Sequence, residues 1–267
     1  MLASCSLIGL GYNRLPAISY WWLDGMLDFN DRQSQIARTE LDALHDWHRR
    51  TQLPLYAQQL RTWQNLARHD VTPAQVCQAY DAGRGLFDAL VEQSIVPTAR
   101  LAPELGPAQL AHLQRHQQRQ DDEFRADFLR DRRKGQDKRY ERALDRYEDF
   151  YGRLDAAQRE HLRERMARSP YDPERHFAER QRRQADWRTT LQGIRDGAPP
   201  EAALRALWGR TLNSPAPGYG AYAQALIEDG CTQLAEVHNR TTPTQRHKAI
   251  ERLRGYEREL WALSRRD

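Results

Sequence analysis

The stretch TPTQRHKAIERLRGYERELWAL, residues 242–263, decides the fold class. The Thr242 hydroxyl can accept a hydrogen bond from the backbone N–H of Gln245, and the Gln245 amide can return one to Thr242. Pro243 suits the first helical position, where its missing N–H would have had no partner anyway. Behind this start Ile250, Leu253, Leu260 and Leu263 form an apolar stripe at helical spacing, with charged residues on the other faces. The segment predicts a capped helix that buries one narrow face.

The same start recurs along the chain. Thr72-Pro73-Ala74-Gln75 repeats it closely; Asn30 to Gln33 and Asp155 to Gln158 are near variants, and Gly106 to Gln109 is a weaker one. Val71 with Val76 and Leu105 with Leu110 could add hydrophobic staples across two of these starts. Further stripes follow at Val76, Tyr80, Phe87 and Leu90; at Leu110, Leu113, Phe124 and Phe128; and at Tyr140, Leu144, Tyr147 and Tyr151. Sustained alternation is absent, so strands are not expected. Turns are expected in VPTARLAPELGP (96–107), SPYDP (169–173), DGAPP (196–200) and NSPAPGYG (213–220). The expected fold is all-α: about ten helices in a single elongated domain, with residues 115–190 as a long charged helical arm. No repeat of 34 or 40 residues is evident.

The chain is polar, with 29% charged residues and a mean hydropathy of -0.90, yet its 7 Trp and 11 Tyr argue against disorder. No run approaches the ~20 apolar residues of a membrane-spanning helix. Residues 115–188 carry 21 of the 41 Lys and Arg and 17 of the 37 Asp and Glu, which accounts for the net charge of +4. The signs alternate closely, as in DRRKGQDKRYERALDRYED (131–149). Interspersed charge builds ion pairs along helices, whereas phosphate binding needs a stripe of one sign. Nucleic acid is therefore not an expected partner.

Leu2-Ala3-Ser4-Cys5 matches a lipobox, the end of a bacterial lipoprotein signal whose Cys becomes the acylated N-terminus. The charged and apolar regions that normally precede it are not in the sequence given. Residues 1–5 are read as a remnant of such a signal, residues 6–29 as an apolar and aromatic segment, and residues 30–267 as the helical domain. From Leu15 to Phe29 the segment is apolar on nearly every side, so it must be buried or lie near lipid. Tyr20, Trp21 and Trp22 are candidate membrane-proximal aromatics.

The run CSLIGLGYNRLPAISYWWLDGMLDFND (5–31), followed by WHRRTQLPLYAQQL (47–60), resembles an uncharacterised family of Gram-negative lipoproteins of unknown function. The specific motifs cover about the first 65 residues, with looser similarity to the end. The resemblance implies a lipid anchor on Cys5, a periplasmic helical domain and no established activity. Ser6, where an Asp would signal retention in the inner membrane, favours the outer membrane by the sorting rule of lipoproteins in general. In that oxidising compartment Cys77 and Cys231 either form a disulfide or remain two buried thiols, the plainer reading being the thiols.

LDAAQREHLRERM (154–166) resembles the LTxxQ signature of small periplasmic chaperones of the Spy and CpxP type, with Asp155 in place of the Thr. That resemblance implies weak client binding, near aromatics such as Phe124, Phe128, Tyr140, Tyr147 and Trp187. Capping alone also accounts for the motif.

Catalytic signatures are absent: there is no G-x-S-x-G, Walker loop, dinucleotide fingerprint or C-x-x-C. His45 with His48, and His112 with His116, have spacings that could share a metal, but Glu40 and Gln120 are the only nearby third ligands. No metal or cofactor is expected. Asp24, Asp28 and Asp31 could do acid/base work, or could cap a helix and pair with Arg14 or Arg49. The expected function is a membrane-anchored binding, scaffold or chaperone-like protein with an envelope partner; an envelope hydrolase using the Asp or His cluster is the alternative.

Overall fold

The expected helix starts are where the chain turns into helices. In the computed structural model, which describes residues 7–265, reciprocal capping boxes open four helices. At Gly106 only the return bond forms, from Gly106 N–H to Gln109 Oε1 (3.1 Å), because glycine offers no side chain. Asp131 and Asp172 cap two further helices that the sequence did not single out.

The order is α1 (Leu7–Asn13), α2 (Leu15–Leu27), α3 (Asp31–Trp47), α4 (Leu53–Leu66), α5 (Pro73–Leu101), α6 (Pro107–Phe124), α7 (Arg132–Tyr151), α8 (Ala156–Ala167), α9 (Pro173–Arg195), α10 (Pro200–Leu212), α11 (Tyr219–Asn239) and α12 (Pro243–Ser264). No strand occurs among the described residues. The fold is all-α, as the stripes require. The lipobox, Cys5 and Ser6 lie outside the described residues.

Two joints depart from plain helix. Between α3 and α4 the chain makes a π-turn, His48–Gln52, and the Leu53 N–H reaches back five residues to the His48 carbonyl. Pro54, next in line, has no N–H with which to continue the ordinary register. A second π-turn, Arg125–Leu129, follows α6. A turn was expected from Val96; instead α5 continues through Pro97 to Leu101. Ile95 and Ala102 on either side are each only 1% exposed, so core burial holds the helix through the proline. The Thr98 hydroxyl donates to the Ser94 carbonyl one turn back (2.8 Å).

At about 43 Å, α5 is the strut of the molecule. Its C-terminal half joins α2, α6, α9 and α10 around the largest core, which includes Leu27, Ile95, Leu113, Leu191, Leu204 and Leu207. Its N-terminal half packs on α11, beside the antiparallel partners α4 and α12. Smaller cores hold α7, α8, α11 and α12 together: Tyr140, Leu162 and Val237 in one, Tyr151, Leu154 and Ala249 in the other. The charged residues 115–190 occupy most of α6 to α9, and α7 lies against α8 and α12.

The capping boxes of α8 and α12 lock together. Gln158 Nε2 donates to Gln245 Oε1 and Gln245 Nε2 donates to Gln158 Oε1, at 2.8 and 2.9 Å. Each amide also donates to a carbonyl at the other helix's entry, Arg240 and Arg153 respectively, and both side chains are buried. The disulfide left open by the sequence is formed: Cys77 in α5 and Cys231 in α11 are bridged with Cα atoms 5.4 Å apart. The two positions that looked like separate buried thiols face each other because α5 and α11 pack side by side.

Gln158→Ala strands the Gln245 amide in the interior and should cost about 1–3 kcal/mol in urea unfolding. The Gln158→Ala/Gln245→Ala double variant should lose clearly less than the two singles added together. Reducing the disulfide, or Cys231→Ser, should cost roughly 2–5 kcal/mol by the same measurement.

Candidate functional site

The histidine pair on α3 and its π-turn is a structural joint. Tyr12 Oη meets His48 Nδ1 at 3.0 Å, His48 Nε2 meets Tyr56 Oη at 3.3 Å, and His45 Nε2 meets the Tyr12 carbonyl at 3.0 Å. These bonds pin α1 to α3 and α4. Both imidazoles are pushed down in pKa, His48 by burial and by His45, His45 by burial and by Arg49. The Tyr12 phenol is pushed up to about 12, chiefly by burial.

The second pair does not converge either. His112 Nε2 contacts the Gly25 carbonyl at 3.2 Å, tying α6 to α2, while His116 Nε2 contacts the Gln120 amide at 2.9 Å. Among the described residues no group of three His, Cys, Asp or Glu side chains is placed to hold a metal ion.

The three carboxylates also part. Asp24 Oδ1 accepts from Phe29 N–H and closes the end of α2. Asp28 adopts a left-handed backbone (φ 55°) just past that helix, with its side chain in solvent. Asp31 opens α3 in the cap formed by Asn30. Neither Arg14 nor Arg49 pairs with them; Arg49 Nη2 instead donates to Asn13 Oδ1 at 2.7 Å.

Most of the alternating charge forms networks between helices. Glu179, 3% exposed, accepts from Arg182, Arg183 and Ser214. Burial pushes its pKa up, but these donors outweigh that and hold it below the usual range. Asp186 pairs with Arg210 and Arg182, and Asp121 with Arg180 and Gln184. These contacts join α6, α9 and α10.

Four of the five aromatics expected to offer a client surface are packed, while the fifth, Tyr147, stacks on Tyr151 and lines a cavity. Phe124 stacks on Phe177 with ring centroids 5.4 Å apart, Phe128 and Tyr140 are buried, and Trp187 meets Trp208 edge to face. Tyr20 faces the protein too: its hydroxyl donates to Ser34 and the Arg38 guanidinium lies 3.5 Å over its ring. Trp21 and Trp22 point outward, 74% and 55% exposed.

What remains is space. A cavity of about 720 Å³, open at one side, lies where α4, α5, α7, α11 and α12 meet. Trp63 and Leu66 wall it from α4, Val76 and Tyr80 from α5, Tyr147 and Phe150 from α7, and Ile227 and Leu234 from α11. The disulfide links the α5 and α11 walls. The buried His238 on its lining meets Tyr151 Oη at 3.0 Å and the His69 carbonyl at 2.9 Å. Asn239 clamps the loop before α5 by two hydrogen bonds with the Val71 backbone. Burial pushes His238 down and Tyr151 up. A second cavity of about 470 Å³ lies between α2, α3, α5 and α9, under Trp22. Sequence reading missed both, because each takes walls from helices far apart in the chain.

The lowered histidines set an acid limit. Well above pH 6.5 an imidazole is neutral in folded and unfolded chains alike; as the pH falls through about 6.5 the unfolded chain takes up protons that His45, His48, His176 and His238 resist. Stability should therefore fall as pH drops from about 7 to 5, before the carboxylates protonate. Urea unfolding at several pH values should show this, with a shallower dependence in His238→Gln.

No curated protein and no solved structure matches the chain. The profile of a family of unknown function, DUF6279, matches residues 25–213, from the end of α2 to just past α10, while α11 and α12 lie beyond the matched residues. With more than half of its length covered, the chain belongs to DUF6279, a family of unknown function.

Proposed function

We propose that this chain is a lipid-anchored binding protein of the bacterial envelope, held through Cys5 on the periplasmic face of the outer membrane. The observation that carries the reading is the outward apolar face just after the lipobox: Leu10, Leu15, Ile18, Trp21 and Trp22 are 41–74% exposed on α1 and α2. A patch of that kind on a surface marks an interaction with a partner or with lipid. Trp is suited to an interface because its ring seeks the apolar layer and its N–H seeks water. Among the described residues no helix is long and apolar enough to cross a membrane, so an acyl chain with a flanking apolar face would supply the attachment.

Two further observations support it. The Cys77–Cys231 bridge suits an oxidising compartment. The two apolar cavities suit binding, whereas Asp24, Asp28 and Asp31 do not converge as the hydrolase alternative requires. A chaperone acting through Phe124, Phe128, Tyr140 and Trp187 is disfavoured, because those four rings are packed.

Expressed with its upstream codons, the protein should fractionate with outer membranes and yield an acylated Cys5 peptide by mass spectrometry. Cys5→Ala should shift it to the soluble periplasmic fraction. Trp21→Ser/Trp22→Ser in the Cys5→Ala background should remove residual binding to vesicles. Unchanged membrane fractionation of Cys5→Ala would overturn the anchor.

A further inference from the structure

The geometry points to the larger cavity, between α4, α5, α7, α11 and α12, as a binding site for one long-chain fatty acid, with its carboxylate at Arg146. The inference rests on reading the chain as a binding protein but not on the membrane anchor. At about 720 Å³ the cavity is in the range that small ligands occupy. Its mouth keeps large apolar groups in water: Tyr80, Phe150 and Leu234 are 36–43% exposed.

Apart from Trp63 Nε1 and Arg146, the polar side chains of the lining have partners of their own. The Tyr147 hydroxyl is engaged by Gln233, the Tyr151 hydroxyl by His238, and the Gln75 oxygen by its own capping box. A peptide laid in such a groove would bury backbone N–H and C=O groups without partners, at a cost of kilocalories for each. A hydrocarbon chain has no such groups. It gains from burial in proportion to its apolar area.

One cation stands on the lining. Arg146 is exposed, beside Tyr147, and its guanidinium makes no ion pair or hydrogen bond among the described residues, although most arginines of this chain are engaged. Trp63, on the α4 wall, has a buried Nε1 donor with no acceptor. The arrangement pairs an apolar pocket with an uncommitted positive charge, the complement of an aliphatic carboxylate. The disulfide ties the α5 and α11 walls to each other, with Cα atoms 5.4 Å apart.

Gly230 gives a clean test. It lies on the lining, and a Cβ built there meets nothing within 4 Å, so Gly230→Phe introduces a bulky ring at the lining from a backbone position with room for a side chain and improves helix propensity. The probe is cis-parinaric acid, whose fluorescence rises in apolar surroundings, titrated into the full chain with its disulfide intact. Saturable one-to-one binding, displaced by palmitate, is expected. Gly230→Phe should weaken it at least tenfold with an unchanged melting curve. Arg146→Gln should weaken parinarate and palmitate severalfold while leaving displacement by uncharged hexadecanol as it was. No saturable binding, wild-type affinity in Gly230→Phe, or equal effects of Arg146→Gln on acid and alcohol would overturn the proposal. So would displacement by an apolar peptide but not by palmitate. None of these results bears on fractionation of Cys5→Ala, so the anchor stands or falls separately.

Discussion

The reciprocal amide pair of Gln158 and Gln245 is the constraint that the α7–α12 half of the molecule depends on. Each Oε1 accepts two hydrogen bonds, one from its own helix start and one from the other glutamine. Each Nε2 also donates twice, so neither amide is left wanting. Two helix beginnings that are local matters in the sequence thereby become one long-range contact. Leu154, 1% exposed, and Ala249 pack beside it with Tyr151. The resulting junction ties the entry of α8 to the entry of α12.

A polar chain can afford such narrow apolar stripes because its charges tie helices together. Glu179 and Asp121 are nearly inaccessible, and each is met by arginines and, for Asp121, by amide donors as well; for Glu179 those donors hold the pKa below the usual range. A buried carboxylate without those donors would be protonated instead. The alternation of sign in residues 115–188 is thus partly a folding code for α6 to α9, and not only a solvated face.

What could be read in advance was what is local. A capping box needs four consecutive residues, so the starts of α3, α5, α8 and α12 were visible in the sequence. Helical stripes need about a dozen, which sufficed for the fold class. The π-turn at His48–Gln52 is a balance between Pro54 and the docking of Tyr12, residues 42 apart. The passage of α5 through Pro97 depends on a core drawn from α2, α6, α9 and α10. The pairing of Cys77 with Cys231 spans 154 residues, and sequence could state the option but not the distance. The histidine spacing could be read in the sequence, but the partners of the rings could not. Their i, i+3 spacing could share a metal, but both nitrogens of His48 and Nε2 of His45 are bonded to Tyr12 or Tyr56.

The N-terminal helices carry the clearest conflict between burial and position. A helix apolar all round ought to be buried, yet α2 buries only one side: Leu27 and Met26 enter the large core while Ile18, Trp21 and Trp22 remain in water. Hiding those rings on the protein would cover an apolar area worth several kilocalories at about 25 cal/mol per Å². The chain forgoes that gain although its joint at Tyr12, His45 and His48 holds α1 rigidly and Asp24 and Asp28 close α2 firmly. Looseness therefore does not explain the exposure. A fixed apolar face, beginning a few residues after Cys5, is what an anchored protein needs if the acyl chain is to hold it and the face is to set its orientation. In that orientation the lipid surface would cover α1 and α2, while the larger cavity, drawn from α4, α5, α7, α11 and α12, takes no wall from either of them.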